Sequence, residues 1–178
     1  MKVVCFGDSN TYGYDPRSWL GGRYPADSRW ADLLAQKTGW NVVNLGENGR
    51  CIPLRPITLP ADADLVIVML GTNDLLQGCT PEKTEDRMKR FLQSLPLAPE
   101  RILLIAPPPM VSGEWVTDPS LMESSRLLAG YYRELAGQLG VRFADAGNWH
   151  VMLAYDGVHF TGQGHRAFAE NLAQEVCR

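Results

Sequence analysis

Leu65-Val66-Ile67-Val68-Met69-Leu70, followed at once by Gly71-Thr72-Asn73-Asp74, is the stretch that decides the fold. Six apolar residues in a row, rich in Val and Ile and closed by a glycine, have strand length rather than helix length. A strand with one wet face alternates apolar and polar side chains. A run without alternation suits a strand covered on both faces, as in a parallel sheet. With this central strand at Asp64–Gly71, the segments Val3–Gly7, Asn41–Leu45, Arg101–Ala106 and Val141–Asp145 read the same way.

Helical patterns lie between these runs. Ser28 is expected to cap a helix that buries Trp30, Leu33 and Leu34. Thr80-Pro81 reads as a cap and a first helical position, ahead of Met88, Phe91, Leu92 and Leu95 at helical spacing. Leu127, Leu128, Tyr131, Leu135 and Leu139 repeat that spacing until Gly140, and Phe168, Leu172 and Val176 stripe a last helix from about Gly162. The alternation predicts a three-layer α/β/α sandwich around a five-stranded parallel sheet, with flavodoxin-like order 2-1-3-4-5 and right-handed crossovers. Ligands then bind beyond the carboxyl ends of the strands. Ser9, Gly49, Asn73 and the Asp156–His159 loop all follow strand candidates at that end.

A chain of 178 residues is expected to form one domain over residues 1–178. The net charge of −3 and the lack of a basic stripe point away from nucleic acid and anionic membrane as partners. No apolar run approaches the roughly 20 residues that span a bilayer. The first strand begins at Val3, so no signal peptide is expected before it. Cys5, Cys51, Cys79 and Cys177 lie far apart without a CxxC pair, which makes a reduced, cytoplasmic protein the expectation. Three histidines show no ligand cluster, so no metal is expected. The loop after the first strand is not a dense phosphate-binding run of Ser, Thr and Gly, so no flavin or other cofactor is expected. Self-association into a homo-oligomer is left open.

The chemistry-bearing residues stand at the two ends. Ser9 follows the first strand in Gly7-Asp8-Ser9-Asn10, where it either caps a turn or serves as a nucleophile. A helical turn after it would aim backbone N–H groups at a developing oxyanion. His159 lies three residues after Asp156 across Gly157, close enough for the carboxylate to accept from the imidazole and stabilise its charged form. His150 and His165 have no carboxylate at such spacing and read as surface or capping residues. Gly49 can bring its N–H close to a ligand, and Asn73 either donates its amide to an oxyanion or closes an Asx-turn.

Phe6-Gly7-Asp8-Ser9-Asn10-Thr11-Tyr12-Gly13, Asn44-Leu45-Gly46-Glu47-Asn48-Gly49, Gly71-Thr72-Asn73-Asp74 and Asp156-Gly157-Val158-His159-Phe160-Thr161 occur in order across almost the whole chain. Together these blocks resemble the SGNH hydrolase family, also called GDSL-type lipases and esterases. The resemblance implies Ser9 as nucleophile, His159 as base and Asp156 as its orienting partner. It also implies an oxyanion hole from the Ser9 and Gly49 N–H groups and the Asn73 side chain, with Gly49 rather than Gly46 as the second-block donor. Asn10 stands where the family name has leucine, a change that alters local packing without removing a catalytic group. Arg29-Trp30 and Ala106-Pro107-Pro108-Pro109 are similar to the small bacterial arylesterases, acyltransferases and carbohydrate esterases of the family.

The reading that follows is a serine esterase acting on a small-molecule ester with a short acyl, aryl or acetylated-sugar group. Transfer of the acyl group to an alcohol shares its first half-reaction and is the alternative. A non-catalytic small-ligand-binding module on the same frame is the competing class, disfavoured because no inferred catalytic group is replaced. Two stretches are candidate pocket walls: the proline-rich loop through Val111 and Trp115 to about Asp118, and the Asp15–Asp27 insertion with Trp19, Gly21, Gly22 and Tyr24.

Overall fold

The computed structural model of the chain describes residues 1–18, 20 and 22–177. Strands β1 (Lys2–Gly7), β2 (Asn41–Gly46), β3 (Leu65–Met69), β4 (Ile102–Ala106) and β5 (Arg142–Asp145) form one sheet in the order β2-β1-β3-β4-β5. Every neighbouring pair is parallel, with Val4 flanked by Val43 on one side and Val66 on the other. The helices are α1 (Ser9–Tyr12), α2 (Trp30–Thr38), α3 (Thr72–Leu76), α4 (Pro81–Ser94), α5 (Pro119–Leu139) and α6 (Gly162–Val176). The α/β fold and the order 2-1-3-4-5 are as the sequence predicts.

The unbroken apolar runs are explained by two cores, one on each face of the sheet. Val4, Phe6, Val66, Val68, Ile102 and Leu104 meet Met88, Phe91 and Leu92 of α4 and Leu128, Tyr132 and Leu135 of α5. Val3, Cys5, Ile67, Met69, Leu103 and Ile105 face the other way, onto Trp30 and Leu34 of α2 and Phe168 and Leu172 of α6. Successive residues of a strand thus serve opposite cores, and each large side chain so buried contributes about 1.5–3 kcal/mol.

Two helix expectations are corrected. The residue capping α2 is Arg29, without a side-chain cap bond, while Ser28 donates its hydroxyl to Asp27. The first N–H of that helix instead meets His165 Nδ1 at 3.4 Å, so a partner distant in sequence takes the place of a local cap. Leu33 is only partly buried; Trp30, Ala31 and Leu34 form the buried face. On α5 the buried face is Ser125, Leu128, Tyr132, Leu135 and Ala136. Leu127 is exposed, and Tyr131 points its hydroxyl at Glu82. Tyr132, four residues after Leu128, continues the stripe and donates to the Leu70 carbonyl at 3.1 Å. Among the described residues, no helix is long and apolar enough to cross a membrane.

Candidate active site

The carboxyl ends of β1, β2 and β3 and the loop before α6 converge on one point. Asp8 caps α1 by accepting from the Asn10 N–H at 2.9 Å, which places Ser9 at the first helical position, where its amide has no intrahelical acceptor. Asp8 is buried, and that burial pushes its carboxyl up to about 6, against the opposing pull of the Asn10 N–H, His159 and Arg50. The Ser9 hydroxyl lies 3.0 Å from His159 Nε2, and His159 Nδ1 lies 2.7 Å from Asp156 Oδ2. Such an arrangement lets the ring take a proton from the hydroxyl while the carboxylate fixes its tautomer.

The turn that carries His159 is held from within and from without. Asp156 Oδ1 accepts from the Val158 and His159 N–H groups, both at 2.9 Å. Burial alone would raise the Asp156 pKa, but the His159 ring and these two amides outweigh it and hold the carboxyl below its usual range. From β1's side, the Asn10 amide donates to the Val158 carbonyl at 3.1 Å and accepts from the Phe160 N–H at 2.9 Å. The Trp30 indole donates to the Asn10 carbonyl at 2.9 Å.

Opposite this turn stand the candidate oxyanion donors. Asn73 occupies the first turn of α3 and donates one amide hydrogen to the Arg50 carbonyl at 3.1 Å. Its NH₂ has a second hydrogen, free to meet a ligand. Asp74 beside it is fully buried, pairs with Arg87 at 2.8 Å and accepts from the Ile52 N–H at 3.0 Å. Those bonds tie the loop after β2 to α3. Of the two glycines in the second block, Gly49 lines the cavity with Ser9. The Gly46 N–H is already given to Asn44 Oδ1, and a Cβ there would sit 2.1 Å from the Tyr12 nitrogen.

Ser9, Tyr14, Asn48, Gly49, Asn73, Trp115 and His159 enclose a cavity of about 190 Å³. Tyr14 and Trp115 flank the imidazole, with ring centroids 4.6 Å and 5.0 Å from that of His159. Trp115 comes from the proline-rich loop, one of the two expected walls. That loop lies backbone to backbone on the Asp156 turn: Val111 N–H donates to Gly157, Glu114 N–H to Tyr155 and Trp115 N–H to Asp156, at 3.1, 3.2 and 3.1 Å. Of the Asp15–Asp27 segment, Pro16, Arg17 and Ser18 line a neighbouring cavity together with Tyr14 and Tyr155. The segment's Tyr24 is buried against His165, and Trp19 and Gly21 lie outside the described residues. Tyr14, just ahead of that segment, lines both cavities, its N–H on the Ser9 carbonyl at 3.0 Å.

His165 is neither a surface residue nor a solvent-facing cap. It is fully buried between Tyr24 and Phe160, and its Nε2 has no hydrogen-bond partner. His150 is exposed, at a positive φ of 51°. Among the described residues, no three His, Cys, Asp or Glu side chains converge as a metal site requires.

The sequence profile of the GDSL-like lipase/acylhydrolase family matches residues 5–167. Among functionally curated proteins, none matches the chain in sequence. Among solved structures, an inferred arylesterase from Agrobacterium tumefaciens str. C58 is 33% identical over 99% of this chain and 98% of its own, with a TM-score of 0.83. A carbohydrate acetylesterase from Sinorhizobium meliloti is 26% identical at TM-score 0.82, and an aryl esterase from M. smegmatis 27% identical at 0.80. Each of those alignments also covers 99% of this chain and 98% of the other. Sequence, topology and the constellation at the strand ends therefore agree, and the chain belongs to the GDSL-like lipase/acylhydrolase family of serine ester hydrolases.

Proposed function

We propose that the protein hydrolyses small carboxylic esters, with short acyl, aryl or acetylated-sugar groups, through an acyl-enzyme on Ser9. The observation that carries this reading is the hydrogen-bonded series Ser9–His159–Asp156, at 3.0 and 2.7 Å, opening into the cavity that Gly49 and Asn73 line. His159 takes the Ser9 proton as the hydroxyl oxygen attacks the ester carbonyl, and Asp156 stabilises the resulting imidazolium. The oxyanion receives the Ser9 and Gly49 N–H groups and the second Asn73 amide hydrogen. Collapse expels the alcohol, which collects the proton from His159. Water then attacks the acyl-enzyme with His159 again as base, releasing the acid and restoring Ser9. No cofactor enters these steps.

A cavity of about 190 Å³ favours short acyl groups. Trp115, which lines it, is more than half exposed to solvent, at 53%. A fluorophosphonate probe should label the wild type at Ser9 and leave Ser9→Ala unlabelled. Labelling of another serine, with Ser9 untouched, would overturn the reading.

A further inference from the structure

The geometry points to Asn10 as the positioning residue that sets the Ser9–His159 separation, by clamping the backbone on both sides of His159 with one amide. This rests on the reading of Ser9 and His159 as the reacting pair. Asn10 is the immediate neighbour of Ser9, and its side chain is buried. Its Nδ2 donates to the carbonyl of Val158 and its Oδ1 accepts from the N–H of Phe160, the two residues that flank His159. A closed ring results: Ser9 to Asn10 through the chain, Asn10 to the His159 segment through two hydrogen bonds, and His159 Nε2 back to the Ser9 hydroxyl.

The surrounding bonds leave that segment little freedom. Val158 N–H and His159 N–H both go to Asp156 Oδ1, and the His159 carbonyl accepts from the Ala154 N–H at 2.7 Å. The Val158 carbonyl and the Phe160 N–H are the remaining backbone groups around the imidazole, and Asn10 supplies both. Asn10 is itself anchored, because the Trp30 indole holds its carbonyl and the Asp8 carboxylate holds its N–H. One donor and one acceptor on a rigid plane are required here. Leucine, nearly the same size, offers neither, and aspartate in its charged form offers only the acceptor.

The test is a kinetic series on p-nitrophenyl acetate with Asn10→Leu, Asn10→Asp and Asn10→Ala, each checked for folding by near-UV circular dichroism. Asn10→Leu should lower kcat on the order of 10- to 100-fold, the scale of an ångström-level misalignment of reacting groups, while KM changes little. Asn10→Asp, which keeps the Phe160 bond, should fall between. In a His159→Ala background, Asn10→Leu should not lower the residual rate further, because the clamp acts through His159. A folded Asn10→Leu with wild-type kcat, or an equal loss with and without His159, overturns the proposal. If Asn10→Leu does not fold, Asn10→Ala carries the same comparison, since its vacated space admits water to the two backbone groups. Fluorophosphonate labelling separates the two readings. Labelling that persists in Ser9→Ala overturns the parent reading, whereas Ser9-dependent labelling at an unchanged rate in Asn10→Leu overturns the clamp alone.

Discussion

The turn that carries His159 and the first turn of α6 that carries His165 lie side by side in the chain, and they bury their imidazoles almost equally, at 3% and 0% exposure. Their surroundings differ in kind. His159 has a carboxylate on one nitrogen and a hydroxyl on the other, with a cavity in front. His165 has Tyr24 and Phe160 rings around it, one long contact from the Trp30 N–H and an unpartnered Nε2. Burial, reinforced by the charge on Arg29, drives the His165 pKa down to about 3 and keeps it neutral at working pH. Burying an imidazole therefore does not make a base; the partner on its second nitrogen and a path to substrate do.

The comparison breaks most sharply if Asp156 becomes an amide. Asp156→Asn would move His159 toward the state of His165, a buried ring without a carboxylate. A change of this kind in a Ser-His-Asp arrangement costs on the order of 10⁴ in kcat. Stopped assays on a short-chain ester, with the fold confirmed by circular dichroism, should show a loss of that order. Because Asp156 is held below the usual carboxylate range, wild type keeps this carboxylate charged until the pH falls through its lowered pKa.

Asn73→Ala sharpens the contrast from the other side, since it leaves both partners of His159 in place. Loss of one oxyanion donor typically costs about 10²–10³ in kcat. The pH profile should keep its shape while its height falls, and KM should stay nearly constant. A raised KM at unchanged kcat would refute the role.

The smallest effect on rate is expected at His165, where the change should appear in stability. Its folded pKa is below the unfolded value, so its contribution is fully present above about pH 6.5 and is lost as the pH falls toward about 3. Between pH 7 and pH 4.5 this single group should cost about 2–3 kcal/mol. His165→Gln should lose less over that interval in urea titrations, and at pH 8 it should keep most of its turnover. If His165→Gln abolished turnover in a folded protein while His159→Ala did not, the assignment of the two histidines would be reversed.

Much of the fold was legible because strands covered on both faces write themselves as unbroken apolar runs, as in Val3–Phe6 and Leu65–Leu70. Ser9, Gly49 and Asn73 were legible because each follows a strand end in a short motif, and Asp156 and His159 because of their three-residue spacing. What escaped was fixed by contacts between distant segments. The α2 cap comes from His165, so the local serine signal at Ser28 misleads. On α5, Tyr131 and Tyr132 stand at equal phase from Leu128 and Leu135, and packing that also buries Ser125 and Ala136 and meets the Leu70 carbonyl selects the second. Tyr14 gives no periodic signal, because its place over His159 comes from the turn that ends α1. The two bonds from Asn10 span about 150 residues of chain, which no spacing rule reaches.

The proline-rich loop and the Asp156 turn bear on how such an enzyme can be redesigned. A Cβ on Gly113 would lie 2.4 Å from the Asp156 carbonyl carbon, and one on Gly157, at φ +82°, would lie 2.2 Å from the Val111 oxygen. The wall that bears Trp115 and the carboxylate behind His159 are thus two sides of one backbone contact. Lengthening or transplanting the loop to admit a bulkier ester would displace Asp156 along with the wall. Substrate range is open instead to exchange of the exposed side chain at position 115, which changes the lining and leaves the Trp115 N–H on Asp156 untouched. A library confined to that position and to Tyr14 should yield altered specificity far more often than one built by loop exchange.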